Sequence, residues 1–418
     1  MGRTVVLLLA STLGVMGGAI VVPVLEVIRG DLAVSGTAGG FVLTAHGLAI
    51  AVVSPVVGRI VDRFGVRAPM VAGLVVYGLG GGAGLVVESY PALIAARLVF
   101  GVGAAAVFTC TTVGLLAFYD GAMRDRVMGW RSTATSAGGV VWPLLGGLLG
   151  GLSWHATFAI YLVGLPLAVA AALALPAGTG GAPARRERAG VGRLLRERPA
   201  LLGYYALWLV FAVQGYVLAI FLPARLAELG IDDPLVVSIY AVAGGALATS
   251  VVGLLYARIR RWATHRVLLA TAMSCTAAGF GLYATVSQQV VLLAAPVLFG
   301  VGNGVLFPVV TVLVDEVAGP ELRGRAAALS GTVIFAGQFA SPLLFGPLIE
   351  ATSTTTGFAV AGGTSVSVLC LVVWAWWRRS TPDQVRTGAG TGEPGHPIVR
   401  STTGTAVAAG EETSRCPS

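Results

Sequence analysis

Arg97 stands inside an apolar run, Ala95-Ala96-Arg97-Leu98-Val99-Phe100. A guanidinium in such a setting is costly unless it is paired, hydrated or bonded to protein, so function is its default explanation. Glu26 and His46 lie in comparable apolar runs. A carboxylate or imidazole beside a fixed positive charge can couple proton exchange to movement relative to that charge. Plainer uses exist: Glu26 sits at i,i+3 spacing from Arg29, His46 can pack as a hydrogen-bonded core residue, and the long stem of Arg97 can carry its head to a membrane surface. Gln214, Asn303 and Gln338 fall mid-run elsewhere, and Trp142 adds an indole. These are candidates for substrate contact or for hydrogen bonds between helices. No G-x-x-x-x-G-K-[ST] loop is present, lysine is absent, and His46, His155, His265 and His396 are too scattered for a metal site. No catalytic group, metal or cofactor is expected, and the chain is read as no enzyme.

The elements that must position these groups follow from composition. The chain has 418 residues, 56% hydrophobic and 11% charged, with a mean hydropathy of +0.85. A soluble domain carries roughly 25% charged residues, so most of this surface does not face water. Crossing ~30 Å of hydrocarbon takes about 20 apolar residues per helix. Twelve such segments are expected, at 4–27, 37–57, 68–87, 91–118, 132–151, 155–175, 200–222, 234–257, 266–286, 290–314, 326–349 and 356–377. Cys110, Cys275 and Cys370 lie inside these runs and Cys416 near the end, which is no disulfide framework. The pI near 9.7 does not signal nucleic acid, because the arginines form short clusters between apolar runs and make no basic face.

Those clusters orient the chain. Alternate connections hold Arg63 and Arg67; Arg124, Arg126 and Arg131; Arg185 to Arg198; Arg258, Arg260 and Arg261; Arg323 and Arg325; then Arg378 and Arg379. Arginine-rich loops stay cytoplasmic, so both termini are expected inside, in a cell (inner) membrane. The expected organisation is a six-helix bundle at 1–176, a cytoplasmic linker at 177–199, a second bundle at 200–379 and a disordered cytoplasmic tail at 380–418. The two bundles can be overlaid. AARLVFGVGAAAVF (95–108) matches AAPVLFGVGNGVLF (294–307), and the same offset of 199 residues maps Arg124 onto Arg323, Gly138 onto Gly337 and Pro143 onto Pro342. A parallel repeat of this kind places a substrate between the halves near the midplane.

Three motifs carry a family resemblance. GRIVDRFGVR (58–67) resembles the G-x-x-x-D-R-x-G-x-R signature of the major facilitator superfamily. Gly58 allows close helix approach, Gly65 a tight turn, and Asp62 can face the positive end of a helix in the other half. The resemblance implies that Gly58, Asp62, Arg63, Gly65 and Arg67 latch the cytoplasmic side, with Asp120 the nearest acid for the arginines. The second copy keeps Arg258 but has Ala257 in place of the acid. Arg97, Gly101 and Gly103 match R-x-x-x-G-x-G, tied in the family to proton coupling, with Phe100 where glutamine is usual. GGVVWPLLGG (138–147) is similar to the antiporter motif, here Gly138, Pro143, Gly146 and Gly147, with Trp142 where glycine is usual.

The resemblance implies an all-α membrane protein of twelve transmembrane helices in two pseudo-symmetric halves. It further implies a monomeric proton antiporter that exports small, partly hydrophobic organic molecules, with the bilayer and protons as its partners. Uptake of a sugar or organic acid is the alternative, and a non-transporting membrane sensor a third reading.

Overall fold

A computed structural model describes residues 2–177, 191–240 and 244–380. Among them every regular element is helical. Ten helices are long and apolar enough to cross a membrane. They are α1 (Gly2–Asp31), α2 (Gly36–Phe64), α3 (Arg67–Leu85), α4 (Tyr90–Phe118), α6 (Trp154–Ala174), α7 (Ala200–Glu228), α9 (His265–Thr285), α10 (Gln289–Gly319), α11 (Arg325–Ala351) and α12 (Thr354–Trp374). Two further helices occupy the remaining expected positions: α5 (Gly121–Gly150) and α8, built from Pro234–Ser238 and Gly244–Arg260. The twelve expected spans are thus present. α5 begins eleven residues before its apolar run, because the arginine-bearing turns at 121–131 are helical too.

Helix ends follow from local chemistry. Ser35 accepts from Ala38 N, Ser153 from Ala156 N and Asp233 from Val236 N, each capping a first turn. Gly65 ends α2 at φ 76° and Gly319 separates α10 from α11 at φ 71°, a conformation that suits glycine. α1 is interrupted. Its first helical stretch stops at Ala19, a short 3₁₀ turn spans Val22–Val24, and helix resumes at Leu25. Pro23 lacks an N–H and cannot continue the ladder, so carbonyls of the preceding turn are freed inside the bundle.

The repeat is visible in the packing. An ideal Cβ on Gly101 would lie 2.5 Å from the His46 carbonyl oxygen on α2, and one on Gly300 would lie 2.5 Å from Ala248 Cβ on α8. Gly103 and Gly302 press likewise on α3 and α9, and Gly138 and Gly337 on α1 and α7. Each pair is separated by the offset of 199 residues read from the sequence. Small residues serve this purpose in membranes, where helices associate by close packing more than by expulsion of water.

The halves touch at one end. α2 meets α11 through Gly40 against Pro342, Phe41 against Phe339 at 5.4 Å, and Gly47 against Gln338. α5 meets α8 through Gly147 and Gly150 against Pro234. Farther along the same face of α2, toward the arginine loops, Pro55 and Asp62 are exposed, and Gly331 on α11 faces open space. Among the described residues the contacts between the halves gather at the end holding Arg29 and Glu350.

Residues 178–190, most of the expected linker, lie outside the described residues. Those that follow, still within the expected linker, form a short helix, Val191–Glu197, with Leu194 buried. The expected tail at 380–418 also falls almost wholly outside the described residues, together with Cys416. Cys110 is buried, Cys275 half-buried and Cys370 exposed on α12, so the three do not share one buried setting.

Candidate functional site

Arg97 is 0% exposed. The side chain does not reach a surface; it crosses the interior of the first half. Its Nε donates to the Val42 carbonyl at 2.8 Å, Nη1 to Tyr161 Oη at 2.8 Å and Nη2 to the Gly17 carbonyl. Nη2 also lies 3.4 Å from His46 Nδ1. Tyr161 Oη donates in turn to the Gly17 carbonyl at 2.7 Å. That carbonyl belongs to the last turn of the first stretch of α1, freed by the break before Pro23, and a cation there is favoured by the helix dipole. Phe100 and Tyr161 place their rings 4.8 Å and 5.4 Å from the guanidinium carbon, and cation–π attraction adds to the hydrogen bonds. No carboxylate accepts from Arg97 among the described residues. Four of its five N–H donors are thus directed at two backbone carbonyls, a phenol and an imidazole.

Glycines make the arrangement possible. A Cβ on Gly17 would lie 2.8 Å from His46 Nε2, and one on Gly101 would collide with the backbone of His46. The R-x-x-x-G-x-G spacing therefore sets the cation, and the glycines one and two turns later press α4 onto α2 and α3. Phe100, the departure from that motif, is the centre of an aromatic group whose centroids lie 5.5 Å from His46, 4.6 Å from Tyr77 and 4.7 Å from Tyr161. Tyr77 Oη ties this group to α1 through the Leu13 carbonyl at 3.0 Å. Sequence reasoning brought Arg97 and His46 together but missed Tyr161, the Gly17 carbonyl and the aromatic role of Phe100.

Glu26 lies elsewhere. It pairs with Arg29 at 2.6 Å near the closed end. The remaining residues disperse. Gln214 is buried, and its Nε2 donates to the Ala361 carbonyl and the Thr364 and Ser365 hydroxyls, fastening α7 to α12. Gln338 Oε1 is buried without a partner against Gly47 at the seam of the halves. Trp142 is half-buried, and its indole N–H, also without a partner, lies over Gly138. Asn303 is half-buried on α10. Gly138 and Gly146 seat α5 on α1, Gly147 seats it on α8, and the Pro143 carbonyl accepts from Ser238 Oγ at 2.9 Å.

At the arginine-rich end Asp62, Arg63 and Asp120 are exposed, Gly58 and Arg67 half-buried, and Arg63 lies over the Phe64 ring at 5.2 Å. Among the described residues Asp120 forms no ion pair with Arg63 or Arg67. Asp62→Asn is expected to leave expression intact. Loss of about 0.3–1 kcal/mol of charge–dipole attraction slows turnover about two- to fivefold. A transport assay in proteoliposomes measures this, and an unchanged rate removes the loop from the cycle.

Two pseudo-symmetric helical halves that meet at the Arg29–Glu350 end and hold a buried cation define a polytopic membrane protein. The profile described as Major Facilitator Superfamily matches residues 7–342 and again residues 264–409. The chain belongs to the major facilitator superfamily of membrane transporters, which are not enzymes. It is similar to multidrug resistance protein 1 of Bacillus subtilis (strain 168), at 27% identity over 356 residues, 80% of this chain and 86% of that one. It is also similar to the hexuronate transporter of Bacillus subtilis (strain 168), at 25% over 376 residues, 83% and 87% of the two chains. Among solved structures, a POT family transporter in complex with 5-aminolevulinic acid superposes with a TM-score of 0.75 at 12% identity, over 90% of this chain and 96% of that one. That likeness shows the fold.

Proposed function

We propose that this transporter exports small, partly hydrophobic organic molecules in exchange for protons, with the arginine-rich end and both termini in the cytoplasm. The observation that carries the reading is the pairing of a buried guanidinium with a histidine and with no carboxylate. At 3.4 Å, His46 Nδ1 accepts from Arg97 only while that nitrogen carries no proton. A proton there makes it a donor and sets two like charges side by side. At ~4 Å such charges repel by roughly 4 kcal/mol in a protein-like dielectric. The ring must then leave Arg97, and its neighbours on α1 and α4 move with it. The present state, with the pair engaged and the halves joined at the Arg29–Glu350 end, is the unprotonated form that takes substrate from inside. Substrate bound there drives the opposite opening, where it leaves and His46 takes a proton from outside; the protonated carrier returns and releases that proton inside. Trp142 and Gln338, with partnerless polar atoms near the seam, are the proposed substrate contacts. Gln214 and Asn303 support the second half, and Glu26 serves at the outer mouth.

Export is favoured over uptake by the antiporter-like helix α5 and by the relative named for multidrug resistance. The hexuronate relative keeps uptake of an organic acid as the second reading. Everted vesicles with an imposed pH gradient separate them, using a panel of lipophilic compounds beside a hexuronate. Export predicts gradient-driven accumulation of a lipophilic compound. His46→Gln keeps an acceptor for Arg97 but cannot titrate. It is expected to cut that accumulation by about tenfold and to flatten the pH dependence of the rate. A His46→Gln carrier with the full pH dependence of the native one overturns the coupling site.

A further inference from the structure

The contacts that close the carrier at the end away from the arginine loops are not all apolar. Glu350, on the last turn of α11, reaches across to the other half and accepts from the backbone N–H of Thr37 at 2.7 Å. Thr37 lies in the first turn of α2, where N–H groups have no partner within the helix. The next donor, Ala38 N, is taken by Ser35 Oγ from within the same half. So one first-turn donor of α2 is satisfied locally and its neighbour from the opposite half.

Two further features fix this contact. One turn before Glu350, Gly346 has no side chain, and the Thr37 hydroxyl fills the place a Cβ would take. Thr37 is thus a knob in α11 as well as a donor to it. The stem of Arg29 lies across Gly39, and its Nη2 would stand 3.6 Å from a Cβ on Gly36, where Glu350 Oε1 would stand 3.5 Å away. The cation therefore flanks the carboxylate, while its own close partner is Glu26. A cavity of about 340 Å³ adjoins the contact, lined among others by Glu26, Arg29, Phe221, Glu228 and Thr354. Glu228 is already engaged there by Arg225 at 3.0 Å and by the Thr354 hydroxyl at 2.9 Å, which leaves Glu350 as the carboxylate that spans the seam.

We infer that Glu350 is a positioning residue of the transport cycle, holding this end shut by binding the start of α2 from the opposite half. The bond exists only while the end is closed. When the halves rock, α2 and α11 separate, Thr37 N and the carboxylate pass to water through the adjoining cavity, and the other end is free to close. The charge matters as well as the shape. An ionised carboxylate gains from the positive end of the α2 dipole and from Arg29, and an amide gains neither. The inference concerns the opening equilibrium and is independent of substrate and direction of transport.

Spin labels on Gly30→Cys and Asp232→Cys, both exposed at this end on opposite halves, report the opening. The background replaces Cys110, Cys275, Cys370 and Cys416, and the protein is reconstituted without substrate or pH gradient. Glu350→Ala is expected to raise the population with the long label distance about tenfold, the effect of losing one charge-assisted hydrogen bond. Glu350→Gln falls between Ala and the native protein, and Glu350→Asp recovers most of the closed population. Thermal stability stays unchanged, since Glu350 is exposed and lies at a helix end. A distance distribution in Glu350→Ala identical to that of the native protein overturns the inference. So does a shift that appears only together with a fall in melting temperature. Neither result depends on whether the carrier exports.

Discussion

Arg97→Ala is expected to abolish uphill transport, with accumulation against a gradient falling at least about a hundredfold, while ligand binding stays within a few-fold of native. The removed guanidinium leaves the Val42 carbonyl without its side-chain donor, and His46 loses the neighbour that makes its proton matter. The Gly17 carbonyl keeps Tyr161, so α1 and α6 stay joined and the bundle folds. Burial without a partner costs about 1–3 kcal/mol per group, a visible but tolerable loss in a protein of this size. Arg97→Lys separates charge from geometry. An ammonium keeps the positive charge but has no planar fork, and it cannot serve Val42, Gly17, Tyr161 and His46 together. Partial activity is expected, with the pH dependence retained. Purified variants in proteoliposomes, assayed for accumulation and for binding, decide the matter. If Arg97→Ala accumulates substrate at the native rate, the cation serves packing alone.

Much of this was legible in the sequence because membranes make a narrow demand. An apolar run long enough to cross must be helical, since no water is present to satisfy the backbone, and the arginine clusters mark the turns between runs. The break in α1 was open to the same reasoning, since Pro23 follows Gly17 and Gly18 closely, yet the run reads as continuous when only hydropathy is counted. α5 shows the reverse problem. Its early turns carry Arg124, Arg126 and Arg131, so composition hides a helix that hydrogen bonding makes plain.

The site was legible in part for a different reason. A charge within an apolar run announces itself, and glycines at repeat-equivalent positions announce close contacts. Partners drawn from other helices do not. Tyr161 reads as one more aromatic in an apolar stretch, and a backbone carbonyl such as that of Gly17 has no letter. The offset of 199 residues was the signal that reached farthest, because matched glycines make matched contacts in both halves. It also shows where the halves diverge. Arg97 corresponds to Pro296, and the second half fastens its first helix to its last with the uncharged Gln214 instead. Glu26 illustrates the limit of reading depth from sequence. It shares a span with Gly17, but nine residues at 1.5 Å rise carry it about 13 Å away along the helix.

The antiporter-like face of α5 gives the second large effect. A Cβ on Gly147 would sit on Ser238 Oγ, 2.6 Å from the Pro234 carbonyl and 3.0 Å from Leu235 Cα. Ser238 itself donates to the Pro143 carbonyl of α5 at 2.9 Å and to the Pro234 carbonyl at 3.0 Å. All of these α8 atoms belong to the other half, and they meet α5 only while this end is closed. Gly147→Val therefore penalises one state of the cycle and leaves the other alone. Overpacking of a tight contact costs about 1–3 kcal/mol, so the closed population falls roughly five- to a hundredfold, and turnover falls with it because the carrier no longer returns. Gly146→Val is the control. Its Cβ would lie 2.5 Å from the Ile20 carbonyl on α1, a contact within one half that persists throughout the cycle. That variant should lose thermal stability and yield, whereas Gly147→Val should keep its melting temperature and lose transport. Spin-label distances across the closed end, read beside thermal melts of both variants, separate the two. If Gly147→Val transports at the native rate, α5 and α8 do not seal this end, and the resemblance to the antiporter motif carries no mechanical consequence here.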